Sequence, residues 1–182
     1  MKININRPSD INNRLEKEIE VYNILNKLDI DFERIDHKAV SSMEEFDDID
    51  NMFGIKMCKN LFLTTANKKN FYLLLMPGDK KFVTKEFSKM VGSSRLSFAK
   101  EDMMKEYLNT TPGSASVLGL MNDHNKVVHL VMDLEIYNSE YIGCHPLVNT
   151  SSLKIKTSDI IEKFLKETGH EITVVDINKP EL

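Results

Sequence analysis

Apolar residues recur at Leu15, Ile19, Tyr22, Leu25 and Leu28, at spacings of four and three. That period places them on one face of a helix, which Ser9-Asp10 can cap. The pattern then alternates over residues 31–36, as a strand does. Ser41 and Ser42 stand three residues before Glu44 and Glu45, a capping-box arrangement for a short helix ending near Gly54. Two strongly β-type runs follow, 60–65 and 71–76, separated by the polar Ala66-Asn67-Lys68-Lys69-Asn70 and read as a hairpin. Residues 84–91 predict a helix stopped by Gly92, 95–98 a short extended piece, and 100–108 a helix with Met103, Met104, Tyr107 and Leu108 inward.

Further strands are predicted over 126–134, 141–145, 152–155 and 171–177. A helix capped by Thr157 carries Ile160, Ile161, Phe164 and Leu165 on one face and stops at Gly169. Strands and helices do not alternate strictly, and no repeat or low-complexity linker interrupts them. The expected fold is α+β: a single domain with a mixed, mainly antiparallel curved sheet and surrounding helices.

A length of 182 residues suits one domain with its own core. No apolar run approaches the roughly 18 residues that a membrane span needs. The opening Met1-Lys2-Ile3-Asn4 lacks the apolar stretch of a signal peptide, so a cytoplasmic protein is expected. Cys58 and Cys144 form no Cys-x-x-Cys pattern and read as reduced, partly buried thiols. The net charge of −4 is unevenly spread: residues 51–100 alone balance at +8, whereas residues 1–50 balance at −6. A block of one sign can attract phosphates even on an acidic protein, although a solvated lysine face would look the same.

Several catalytic constellations are missing from the sequence. There is no P-loop, no Gly-x-Gly-x-x-Gly after a strand, no Gly-x-Ser-x-Gly elbow and no metal-ligand spacing among His37, His124, His129, His145 and His170. No metal or other cofactor is therefore expected. The chemistry concentrates in two segments. Thr111-Pro112-Gly113-Ser114-Ala115-Ser116 is a loop of small residues whose N–H groups can face a ligand. Gly143-Cys144-His145-Pro146 then sets an imidazole at a strand end. A donor-lined loop and one polar side chain are the minimum for polarising an ester carbonyl. His124 reads as a solvated turn residue and His129 as a strand residue with a local partner. Ser114 and Ser116 lack the adjacent base that a nucleophile needs, so they read as loop-shaping residues. Lys59, which opens a β run, reads on local grounds as a solvated strand end.

Three marks taken together resemble a known family: Lys59-Asn60 opening a central strand, the Gly-rich loop leading to Gly119-Leu120 and Asn122-Asp123, and His145-Pro146-x-x-Asn149-Thr150. They are similar to the freestanding relatives of the editing domain of bacterial prolyl-tRNA synthetase, in the branch that deacylates alanyl-tRNA(Pro). The resemblance covers roughly residues 18–177 and leaves residues 1–17 as an N-terminal extension of a single editing domain. It implies a metal-free hydrolase that cleaves the ester of a mischarged amino acid at the tRNA 3′ end, with a ribose hydroxyl of the tRNA helping to activate water. Lys59 and His145 would then be the catalytic residues, Lys59 reaching the phosphate or terminal adenosine and His145 positioning substrate or water. Asn60, Gly113, Ser114, Ala115, Ser116 and Asn149 would bind substrate. The implied partner is the acceptor end of tRNA(Pro), with prolyl-tRNA synthetase as a further associate. Val117 stands where the family loop carries proline, so the loop lacks that restraint on φ. The rival readings are a catalytically weak module that senses aminoacyl-tRNA or a free amino acid, and a deacylase for another small amino acid such as serine or cysteine.

Overall fold

The computed structural model describes residues 1–39 and 43–177. In chain order they form β1 (Ile3–Ile5), α1 (Glu16–Lys27), β2 (Phe32–Asp36), α2 (Met43–Phe53), β3 (Cys58–Thr65), β4 (Phe71–Pro77), α3 (Thr84–Met90), β5 (Leu96–Phe98) and α4 (Glu101–Leu108). After a 3₁₀ turn at Val117–Asn122 come β6 (Val128–Asp133), α5 (Leu134–Tyr137), β7 (Tyr141–Cys144) and β8 (Ser151–Lys156). α6 (Thr157–Asp159) continues through a π-helical stretch, Ile160–Phe164, into α7 (Leu165–Thr168), and β9 (Ile172–Val175) follows. The fold is α+β, with its strands divided between two sheets. β1-β2-β8-β7 is wholly antiparallel, while β5-β3-β4-β6-β9 pairs β4 with β6 and β6 with β9 in parallel. No helix among the described residues is long and apolar enough to cross a membrane.

β4 lies at the centre of the larger sheet, and its Phe-Tyr-Leu-Leu-Leu-Met run is apolar on both faces for that reason. Phe71, Leu73 and Leu75 enter the main core with Phe62, Val21, Tyr22 and Leu25 of α1, and Leu153 and Ile155 of β8. Leu74 and Met76 point the other way, to a second core with Leu63, Phe87 of α3 and Leu96. A third cluster, Ile35, Ile49 and Phe53, seats α2 on the smaller sheet.

Two expected caps are corrected. Asp10 does not cap α1: its carboxylate accepts from Arg14 at 3.2 Å, a 3₁₀ turn occupies Ile11–Asn13, and the helix begins at Glu16. Thr157 is the first helical residue instead of a cap: its N–H donates to the Glu140 carbonyl at 3.0 Å and its hydroxyl meets the Ser139 hydroxyl at 3.3 Å. The proposed capping serines Ser41 and Ser42 lie outside the described residues. The first residues, outside the family resemblance, are built into the smaller sheet: β1 pairs with β2. Arg14 ties them to the rest, reaching Asp36 at 2.9 Å and the buried Glu18 at 2.6 Å.

The two sheets meet where Met57, just before β3, bridges Gly143 of β7. A Cβ on Gly143 would stand 2.6 Å from the Met57 sulfur and 3.1 Å from its Cα. Gly143→Ala is therefore expected to lower the free energy of unfolding by about 1–3 kcal/mol, the usual cost of overpacking. Urea denaturation measures it, and an unchanged midpoint would show that the contact yields freely.

Candidate active site

A cleft of about 390 Å³ opens at this junction. β3 and the residues before it contribute Lys56, Met57, Cys58, Lys59 and Asn60, and the turn after β4 contributes Gly78 and Asp79. The small-residue loop adds Gly113 and Ala115, the end of β7 adds His145, and α2 adds Phe46, Asp47 and Asp50. Lys59, Asn60, Gly113, Ala115 and His145 thus come together from three separate stretches of chain.

The loop owes its shape to local bonding. Gly113 takes φ +86°, a conformation that L side chains rarely adopt, and the space beside it is open. The Ser114 hydroxyl donates to the Thr111 carbonyl at 3.0 Å and accepts from the Thr111 N–H at 3.2 Å. The Ser116 hydroxyl accepts from the Leu118 N–H at 3.2 Å and caps the following 3₁₀ turn. Both hydroxyls are buried and absent from the cleft lining, because the loop itself uses them. Val117 is fully buried in the main core, so packing supplies the restraint that proline would have given. Among the described residues, the backbone N–H groups of Gly113, Ala115 and Ser116 donate to no acceptor.

His145 follows β7 and is held by the strained segment after it. Leu147 adopts φ +62° while fully buried, a conformation that costs of order 1–3 kcal/mol in a bulky residue and is held by the packing around it. The His145 Nδ1 lies 2.8 Å from the Ser151 carbonyl, so that nitrogen carries the proton and Nε2 keeps its lone pair. Burial holds the His145 pKa below the ordinary value, with the neighbouring His37 adding to the effect. The two rings lie 6.4 Å apart, and His37 is anchored by the Ser152 hydroxyl at 2.9 Å. Asn149, expected to bind substrate, is exposed and does not line the cleft: the chain turns away after Leu147.

Asn60 carries an unmet demand. Its amide nitrogen donates to the Cys58 carbonyl at 3.2 Å, whereas its Oδ1 is buried without a partner among the described residues. The residue itself lines the cleft, so a small rotation of its side chain would offer this acceptor to a donor on a ligand. The adjacent Cys58 thiol is pushed up to about 12 by burial, so it forms a neutral, weakly polar wall and not a nucleophile. Burial likewise drives the Cys144 thiol upward, with Cys58 close enough to add to the shift.

Sequence reasoning missed the acidic side of the cleft. Asp50 accepts the Met57 N–H at 2.9 Å, and burial raises its pKa, with Asp47 adding to the rise. Asp79 pairs with Lys56 at 2.7 Å, which pulls its pKa down. The available signal was the acid-rich run of α2, Glu44 to Asp50. Among the described residues no group of three or more His, Cys, Asp or Glu side chains is arranged to hold a metal ion.

Known proteins share this chain's sequence pattern and fold. The model of the aminoacyl-tRNA editing domain matches residues 37–163. The prolyl-tRNA editing protein ProX of Acetoanaerobium sticklandii is 31% identical over 153 residues, covering 84% of this chain and 93% of its own. The prolyl-tRNA synthetase associated domain-containing protein 1 of Mus musculus is 30% identical over 168 residues, covering 90% of this chain and 98% of its own. A solved structure described as a candidate trans-editing enzyme for prolyl tRNA synthetase superposes with a TM-score of 0.66 at 14% identity. It covers 92% of this chain and 99% of its own, and shares the fold. The chain belongs to the aminoacyl-tRNA editing domain family, the hydrolases that cleave aminoacyl-tRNA esters.

Proposed function

We propose that this chain is a trans-editing deacylase that removes alanine from tRNA(Pro), acting in the cytoplasm alongside prolyl-tRNA synthetase. The observation that carries the reading is the convergence of Lys59, Asn60, Gly113, Ala115 and His145 on one cleft, with the N–H groups of Gly113 and Ala115 left without an acceptor among the described residues. The biological need is a matter of size. A synthetase pocket shaped for proline rejects the smaller alanine only about 10–200-fold, and a second hydrolytic site that admits small side chains corrects the remainder.

In this reading the ester carbonyl points to the N–H groups of Gly113 and Ala115, which stabilise the negative charge that develops on its oxygen. The α-ammonium of the amino acid lies on the side of the cleft that carries Asp47 and Asp50, where a small rotation of Asn60 turns its unpaired Oδ1 toward it. The small side chain packs on Phe46, Met57 and the neutral Cys58. Water adds to the carbonyl carbon, the carbon–oxygen bond to the ribose breaks, and the ribose oxygen takes a proton. His145 Nε2 holds the water or the ribose hydroxyl in line as an acceptor. Lys59, exposed at the mouth, attracts the phosphate of the terminal nucleotide.

Single-turnover assays with mischarged tRNAs should show alanyl-tRNA(Pro) cleaved far faster than prolyl-tRNA(Pro); equal rates on both, or none above buffer, would sink the reading. The lowered pKa of His145 keeps Nε2 unprotonated, so the acid limb of the rate should fall below pH ~6.5. The unfolded chain binds that proton more readily, so His145 should also cost stability as the pH falls through that same window. His145→Ala should slow turnover about 10–100-fold, abolish that limb and keep the wild-type circular dichroism. Finally, Asn60→Ala should change stability by no more than about 1 kcal/mol, since its buried acceptor is unpaired, while raising KM for the aminoacyl ester. A large stability loss with unchanged KM would return Asn60 to a structural role.

A further inference from the structure

On the face of the larger sheet covered by α3, a second groove of about 730 Å³ is lined by Thr84, Lys85, Ser88, Lys89, Arg95 and Phe98, among others. Between residues 80 and 100 the chain carries six lysines and arginines against Glu86 as the one acid. Lys85 and Arg95 are exposed, and no carboxylate among the described residues pairs with either. Phe98 is 58% exposed, an unusual position for a phenylalanine on a sheet edge, and its ring lies 5.9 Å from that of Phe82. Cations beside an exposed aromatic ring are the arrangement that single-stranded nucleic acid uses, with phosphates on the cations and a base on the ring.

The strand register connects this groove to the cleft. Phe98 pairs with Leu63, and residues paired across strands share a face. Lys59, Leu61 and Leu63 also share that face by alternation along β3. Lys59 at the cleft mouth therefore stands four residues from the strand position opposite Phe98, about 13 Å at 3.3 Å per residue. That span equals about four nucleotide steps of a stacked strand at 3.4 Å each.

We propose that this groove is an RNA-binding surface which receives the tRNA strand on the 5′ side of the terminal adenosine, with Lys85 and Arg95 on its phosphates and Phe98 under a base. The editing reading names the RNA as tRNA; the groove's chemistry by itself specifies a phosphodiester strand bearing unpaired bases. Lys59 forms the near end of the track and the groove its far end. The +8 balance of residues 51–100 then has a use beyond solubility, as it lies along the path the substrate takes into an otherwise acidic protein.

The test compares two substrates and one binding measurement. The double variant Lys85→Ala/Arg95→Ala should bind deacylated tRNA about tenfold or more weakly at 0.1 M salt, with the log–log salt slope reduced by about 1.4 for two single-strand phosphate contacts. Phe98→Ala should weaken binding by at least about fivefold with the salt slope unchanged. Both should cleave 3′-O-alanyl-adenosine, which has no phosphate to reach the groove, at the wild-type rate. Wild-type affinity and slope in the double variant would overturn the proposal, as would equal slowing on the full tRNA and the adenosine ester. Absence of tRNA binding by the wild-type protein at low salt would also overturn it. If the wild-type protein binds tRNA through the groove but cleaves neither ester, the surface stands and the editing reading falls.

Discussion

The closeness of Met57 and Gly143 holds the candidate site together. At that point the smaller antiparallel sheet touches the larger mixed one, and a side chain on residue 143 would drive into the sulfur and backbone of Met57. Because they touch, the residues that follow each partner are brought side by side: Cys58, Lys59 and Asn60 on one strand, Cys144 and His145 on the other. The loop with free N–H groups closes over this pair, and its rigidity comes from Ser114, Ser116 and the buried Val117. A glycine with no role in catalysis thus sets the distance between the groups that would perform it.

The electrostatic layout divides the labour. Inside the cleft, burial keeps His145 neutral, raises Asp50 and silences the Cys58 thiol. The interior therefore offers lone pairs and backbone donors, with acid on the α2 side for a substrate amine. Outside, the cations of residues 51–100 face a chain that is acidic elsewhere. In the proposed reading, a polyanion whose end carries an ammonium and an ester would meet both environments in the right order, cations along its backbone and acceptors at its tip.

Much of the secondary structure was legible because it follows local rules. The continuous apolar run of β4 announces a strand buried on both faces, and the polar 66–70 segment announces its hairpin. The helix starts were less legible. Asp10 has the chemistry of a cap, but Arg14 claims its carboxylate, and Arg14 is placed by Asp36 on a strand that lies 22 residues away. A cap is read from neighbours in sequence, and here the competing partner was a neighbour only in space.

The site divides in the same way. Residue type alone singled out the small-residue loop at Gly113 and Ala115 and the imidazole of His145, because a glycine loop and a strand-end imidazole carry recognisable chemistry wherever they occur, whereas Lys59 and Asn60 were marked by the family resemblance. Sequence alone likewise determined the α+β class, through its mixed periods, and the concentration of positive charge. Packing between distant segments settled that Ser114 and Ser116 serve the loop, that Asn149 faces solvent, that Asp47 and Asp50 line the cleft, and that the Asn60 oxygen is buried without a partner among the described residues. Whether a polar group faces a ligand or a neighbour depends on which partners reach it first. Those partners come from strands and helices tens of residues away, joined by packing that no local pattern encodes.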